Sequence, residues 1–233
     1  MAENSVTTYF DSYKKARLES GLQDSITSRR FYVVIFTVLA WGFLVNAAMV
    51  YLLGDAMIQA AHAIKWWMLL LAYLVPTFVG IYIAVRSTNP LISFLGYNLV
   101  VLPIGLTLAM IIPTAPVYVI TKAMGLTAMV TLTMMVLAMT VPQLFLGMAR
   151  TLLVSLLVGL LAEVIATFLL GYRGFLFDWF FVIIFSCYIG YDVARAQAFP
   201  KTLDNAVDCA LDIYIDIVNL FIRLLCIFSR SNN

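Results

Sequence analysis

Charge is what this sequence has least of. Only 11% of its 233 residues are Asp, Glu, Lys or Arg, where an ordinary soluble domain carries roughly a quarter. A formal net charge of +2, with no dense basic cluster beyond the first thirty residues, leaves no footprint for nucleic acid. Histidine occurs once, at His62 in a short connection, so an HExxH-type zinc site cannot be built. The three cysteines, Cys187, Cys209 and Cys226, stand in apolar stretches without CxxC spacing. That excludes a disulfide framework or zinc site and leaves buried, inert thiols. Internal repeats and low-complexity segments are missing too, and no connection is long enough to hold a soluble domain.

What the sequence does have is apolar length. Hydrophobic residues make up 64% of the chain, more than one water-soluble core of this size can hide. A bilayer resolves this by acting as the solvent, with roughly 20 apolar residues per crossing helix. The runs predict an all-α polytopic membrane protein with seven spans: Phe31–Leu53, Trp66–Val85, Leu91–Ile112, Val117–Met139, Thr151–Gly171, Phe175–Val193 and Val207–Phe228. Gly54-Asp55, Arg86 to Pro90, Pro113 and Pro116, Pro142, Gly171 to Gly174 and Pro200-Lys201 mark the breaks. Residues 1–30 form a polar tail, too long and mixed for a signal-peptide n-region. Residues 31–228 form the membrane domain and 229–233 a short C-terminal tail.

Basic residues set the orientation. With the N-terminus cytoplasmic, that side carries Lys14, Lys15, Arg17, Arg29, Arg30, Arg86, Arg150, Arg195 and Lys201. The opposite side has Lys65, Arg173 and Arg230, while Lys122 and Arg223 lie in the outer halves of their spans. Seven spans place the C-terminus outside; a re-entrant last segment would give six spans and return it to the cytoplasm.

Ionisable residues within spans are expensive and usually face a bundle interior or a water-filled path. The last segment is rich in them. At about 100° per residue, Asp208, Asp212, Asp216, Asn219 and Arg223 fall within about 80° of one another. One helix face is therefore a polar stripe, and Asp212, Asn219 and Arg223 are candidates to line a path. The plainer reading is an i,i+4 ladder near a frayed helix start, with only Asp216 deep. Glu163, well inside the fifth span, and Asp178, near the outer end of the sixth, could line the same path or be hydrogen-bonded for structure.

Asp192, near the end of the sixth span, precedes Asp216 by 24 positions. Their midpoint falls at Asp204-Asn205, assigned to the connecting loop. In an antiparallel hairpin, residues equidistant from the turn lie at similar depth, so the two carboxyls can meet. Close together and poorly solvated, they cannot both ionise cheaply and titrate as a unit. One shared proton would hold the helices together; its loss would leave repulsion or an oxygen-rich cation site. Calcium wants six to eight oxygens, so Asp192 and Asp216 would bind it weakly, which suits permeation. Alternatively each Asp caps a helix or pairs with an arginine such as Arg195. Arg86 is a positive-inside anchor or a partner for the pair.

Ile189-Gly190-Tyr191-Asp192, followed by Asp216 within Tyr214-Ile215-Asp216-Ile217-Val218-Asn219-Leu220-Phe221, resembles the signature end of the transmembrane Bax-inhibitor-motif family. Gly96-Tyr97 at the third span and the seven-span layout fit as well. The resemblance implies a bundle with the last helix central and six around it. It implies a pH-sensitive calcium leak with Asp192 and Asp216 as sensor and gate and Arg86 as closed-state latch. Calcium is then the permeant species, and no cofactor is called for. The tail Ser229-Arg230-Ser231-Asn232-Asn233 lacks the lysine-rich ending of animal members, which points to a bacterial plasma membrane.

Other functions make different demands. An intramembrane aspartyl protease also uses two membrane aspartates, but needs a Gly-x-Gly-Asp segment where Asp216 has Tyr-Ile-Asp. A proton- or ion-coupled transporter is commonly flagged by paired broken helices in related halves, and no matching halves occur around Pro103, Pro113 and Pro142. A scaffold or stress regulator would show no flux. A retinal photoreceptor is excluded, because the last span has no lysine. The partners expected are lipid, calcium and protons, and the chain reads as a non-enzyme.

Overall fold

The computed structural model describes residues 25–171 and 174–230. Lys14, Lys15, Arg17 and Arg173, counted above in the charge balance, lie outside the described residues, as do residues 231–233. The chain runs through α1 (Ser28–Ala63), α2 (Trp66–Arg86), α3 (Pro90–Ile111), a 3-10 turn (Ile112–Thr114), α4 (Val117–Thr140), α5 (Pro142–Leu146), α6 (Ala149–Leu170), α7 (Phe175–Ala198) and α8 (Leu203–Arg230). Among the described residues there is no strand.

Six of these helices (α1, α2, α3, α4, α6 and α7) are long and apolar enough to cross a bilayer. Their outward residues are apolar: Leu169 is 77% exposed and Phe168 71%. Water would penalise such a surface, whereas hydrocarbon does not. The protein is an integral membrane protein. Helix α8 has 28 residues, about 42 Å at 1.5 Å per residue, and its charged stripe sets it apart from the other six.

Local chemistry explains most boundaries. Asn89 caps α3 by accepting from the Leu91 N–H at 2.9 Å, with Pro90 in the first turn where no amide partner is needed. Gly171, at φ 63°, ends α6 in the left-handed conformation. Thr202 caps α8 by accepting from the Asn205 N–H at 3.1 Å. Asp204 and Asn205 therefore lie in the first turn of α8 rather than in a loop, which corrects the reading from spacing. Ser229 and Arg230 continue α8, so the expected C-terminal tail starts later.

Helix α1 also outruns its expected end. It passes through Gly54-Asp55 and takes in His62, which is helical and not part of a connection. Gly54 serves close packing here: a Cβ on it would lie 3.0 Å from Pro113 Cγ.

The chain divides into two compact units, the first comprising Met1–Thr114 with Ala198–Leu211 and the second Ala115–Gln197 with Asp212–Asn233. In the first, α3 packs against both α1 and α2. Gly80 and Gly96 allow the α2–α3 approach, since a Cβ on Gly96 would lie 2.6 Å from the Gly80 carbonyl oxygen and 2.9 Å from the Ala84 nitrogen. The next residue, Tyr97, is fully buried and donates its hydroxyl to the Val38 carbonyl of α1 at 2.8 Å. The Gly96-Tyr97 pair thus seats α3 on both neighbours. The first turn of α8 is tied in by Ser93, whose hydroxyl donates to Asp204 Oδ1 at 2.6 Å. In the connection before α8, burial pushes the Lys201 ammonium below the usual lysine range, partly offset by Cys209. It sits 4.7 Å from the Phe31 ring centre.

In the second unit α7 and α5 meet where the Phe145 ring lies against Gly190, leaving no room for a side chain there. Gln197 at the end of α7 donates to the Ala138 carbonyl of α4 at 3.0 Å. These contacts fix the inner end of α7, which carries Asp192.

Candidate functional site

Two rows of polar groups meet in the second unit. On α7, Asp192 and Arg195 are three positions apart and so share a helix face. On α8, Asp212 and Asp216 are four apart and share another. The carboxyls of Asp192 and Asp216 are joined by a side-chain hydrogen bond. Both residues are buried, at 5% and 6% exposure. A carboxyl–carboxyl hydrogen bond needs a proton on one partner, so the contact is itself a proton-holding site. The second Asp216 oxygen, Oδ2, is buried with no hydrogen-bond partner among the described residues.

Arg195 closes the group. Its Nη2 lies 3.0 Å from Asp192 Oδ1 and also donates to Asp212 Oδ2. One guanidinium nitrogen thus bridges carboxylates on two helices. Its carbon stands 5.3 Å from the centre of the Tyr191 ring, and Tyr191 meets Tyr188 edge-on at 6.5 Å. The spacing argument brought Asp192 and Asp216 together and read Arg195 as a partner for one aspartate. The double engagement with Asp212 was missed. Its signal was available: Asp212 is one turn from Asp216, and Arg195 one turn from Asp192.

A second charged group lies further along α8. Arg223 donates to Glu163 of α6 through Nη1 at 2.5 Å and Nη2 at 2.8 Å. The same Nη1 donates to Asp178 Oδ1 of α7 at 3.0 Å. Arg230 donates to Asp178 Oδ2 at 2.5 Å, and the Arg223 guanidinium lies 4.2 Å from the Phe181 ring centre. Two arginines and two carboxylates balance. Glu163, Asp178 and Arg223 therefore take the hydrogen-bonded role offered beside path-lining, and Arg230 joins them from beyond the expected end of the last span. Asn219 turns back on its own helix, donating to the Ile215 carbonyl at 2.8 Å.

Arg86 ends α2 in the first unit, its guanidinium carbon 5.5 Å from the Tyr82 ring centre. Lys122, expected to reach outward, rests 4.9 Å from the Phe228 ring centre. Cys209 is buried, Cys187 and Cys226 are half-buried, and all three are free thiols. Among the described residues no group of three or more His, Cys, Asp or Glu side chains is arranged to hold a metal ion.

No curated protein matches the chain. Residues 28–233 match the family model described as Inhibitor of apoptosis-promoting Bax1, and with nearly the whole chain covered, the protein belongs to the Bax-inhibitor family.

Proposed function

We propose that this protein is a proton-regulated calcium leak channel, with the Asp192–Asp216 pair as sensor and gate. The observation that carries the reading is the hydrogen bond between two buried carboxyls on consecutive helices. With one proton between them, the pair draws α7 and α8 together and the path is closed. Loss of that proton leaves two anions in a poorly solvated site, whose repulsion is strong because little water screens it. The helices part there, and the same oxygens give a transient foothold to calcium.

In this reading α8 is the seventh span and the central one. Its burial on both faces supports that place: Leu211, Tyr214, Leu220 and Leu224 are each no more than 2% exposed, and so is Asp208 on the polar stripe. Asp212, Asn219, Arg223 and Glu163 border the path when it opens. Arg86 latches the closed state as a counter-charge. The N-terminus is cytoplasmic, the membrane is a bacterial plasma membrane, and no bound cofactor takes part.

Protein reconstituted into liposomes with an entrapped calcium indicator tests this. The parent should leak calcium faster as pH rises from about 5 to 8, across the range where a shared carboxyl proton can be lost. Asp192→Asn and Asp216→Asn should each flatten that dependence. A parent without flux, or neutral variants that follow its pH profile, would end the proposal.

A further inference from the structure

We infer that Arg195 is a tethered cation occupying the place calcium must take, and that Asp212 is the third carboxylate ligand its departure exposes. This extends the proposed leak and rests on it for its role in permeation, though not for the binding it describes.

Three carboxylates and one guanidinium share this corner. Arg195 Nη2 stands between Asp192 Oδ1, at 3.0 Å, and Asp212 Oδ2. One positive atom between two carboxylate oxygens from different helices is the geometry of a bridging cation. With the guanidinium there, no three acidic groups come together as a metal site among the described residues. Asp216 points to a ligand independently. Its Oδ2 is buried and unpartnered among those residues, and Asp192 and Asp212 are the anionic groups acting on that carboxyl. An oxygen so placed wants a cation or a donor.

Arginine does not deprotonate in proteins, so it leaves such a site only by moving. Its charge balances one of the three carboxylates and the proton between Asp192 and Asp216 covers a second. Losing that proton raises the local negative charge by one and favours a divalent ion over a single guanidinium. The Asp212 side chain is the most open of the engaged acids, at 26% exposure against 7% for Asp192, and Arg195 itself is 18% exposed. A cation therefore arrives at Asp212 and displaces Arg195 from that side. The other titratable groups at this corner, Tyr188 and Tyr191, are neutral phenols that can donate to a carboxylate but cannot replace the cation.

Calcium binding to the full chain in detergent, measured at mildly alkaline pH, tests the inference. Arg195→Gln should bind calcium about tenfold more tightly than the parent, as expected when a cation within contact distance of a carboxylate is removed. Adding Asp212→Asn should abolish the gain, and Arg195→Lys, which keeps the charge, should stay near the parent. Unchanged or weaker binding by Arg195→Gln, or a gain that persists in the double variant, would overturn it.

A readout on the unaltered chain covers a variant that does not fold. Calcium addition should shift an infrared guanidinium band, identified by nitrogen-15 arginine labelling and missing from Arg195→Lys. Calcium binding without that shift overturns the inference as well. The same proteins in liposomes separate the two readings: the binding pattern without flux removes the channel and keeps the tethered cation. Flux without the binding pattern does the reverse.

Discussion

Arg223 holds Glu163 by both arms of its guanidinium, Nη1 to Oε1 at 2.5 Å and Nη2 to Oε2 at 2.8 Å. The pair joins α8 to α6, and Asp178 extends it to α7. The side chains are 20% and 28% exposed, between an open surface pair and a fully desolvated one. Glu163→Gln keeps the shape but removes the charge, and should destabilise the protein by about 1–3 kcal/mol. Thermal unfolding in detergent checks this. A melting point equal to the parent's would mean that Asp178 alone anchors Arg223.

The inner carboxyls should show a stability effect whose sign depends on pH. At acid pH the parent holds its shared proton, and Asp192→Asn should change the melting point little, since an amide can also donate to Asp216. At alkaline pH the parent carries two adjacent anions that the variant lacks, so the variant should be the more stable one. The proton-holding pair stabilises the parent below the pH at which the proton leaves and not above it. Melting curves for both proteins across the pH range should therefore cross or diverge upward for the variant. Parallel curves would show that the two carboxyls do not share a proton.

Long-range order was legible wherever one physical rule dominated. Apolar length placed α2, α3, α4, α6 and α7 within a few residues, because hydrocarbon thickness leaves little freedom. Equal distance from a turn brought Asp192 and Asp216 together, although the turn itself is shorter than supposed. The rule failed where one residue type serves two purposes. Gly54 reads as a break but lets Pro113 approach α1, so α1 continues to Ala63. Arg195 and Arg223 read as an orientation marker and a stripe member, yet each bonds carboxylates on other helices. Composition cannot give those pairings, since they depend on how α6, α7 and α8 are rotated against one another.

The contact between Gly80 and Gly96 makes a sharper prediction than most core positions. A Cβ on Gly96 would fall 2.6 Å from a carbonyl oxygen and 2.9 Å from a backbone nitrogen. Backbone cannot rotate away as a side chain can, so α2 and α3 must separate. Gly96→Ala should destabilise by about 1–3 kcal/mol, the usual range for overpacking. Gly125→Ala is the control: a Cβ added there would have no neighbour within 4 Å, and alanine favours helix over glycine by about 1 kcal/mol. It should leave the melting point unchanged or raise it. Equal losses at both glycines would show that helix separation is not the cause.

Ser93 and Asp204 test how the start of α8 is held in the first unit. Both are buried, at 0% and 4% exposure, and the serine hydroxyl donates to Asp204 Oδ1 at 2.6 Å. Hydrogen bonds to a charged group contribute about 1.5–3 kcal/mol when buried. Ser93→Ala removes the donor while leaving the carboxylate in place, and should lose most of that amount. Asp204→Asn removes the charge but keeps an acceptor, so it should lose less. In the double variant the two losses should fall short of their sum, because the serine then has less to give up. Unfolding energies of the four proteins provide the cycle. Strict additivity would mean that Ser93 and Asp204 act independently and that α8 is anchored to this unit by its other contacts.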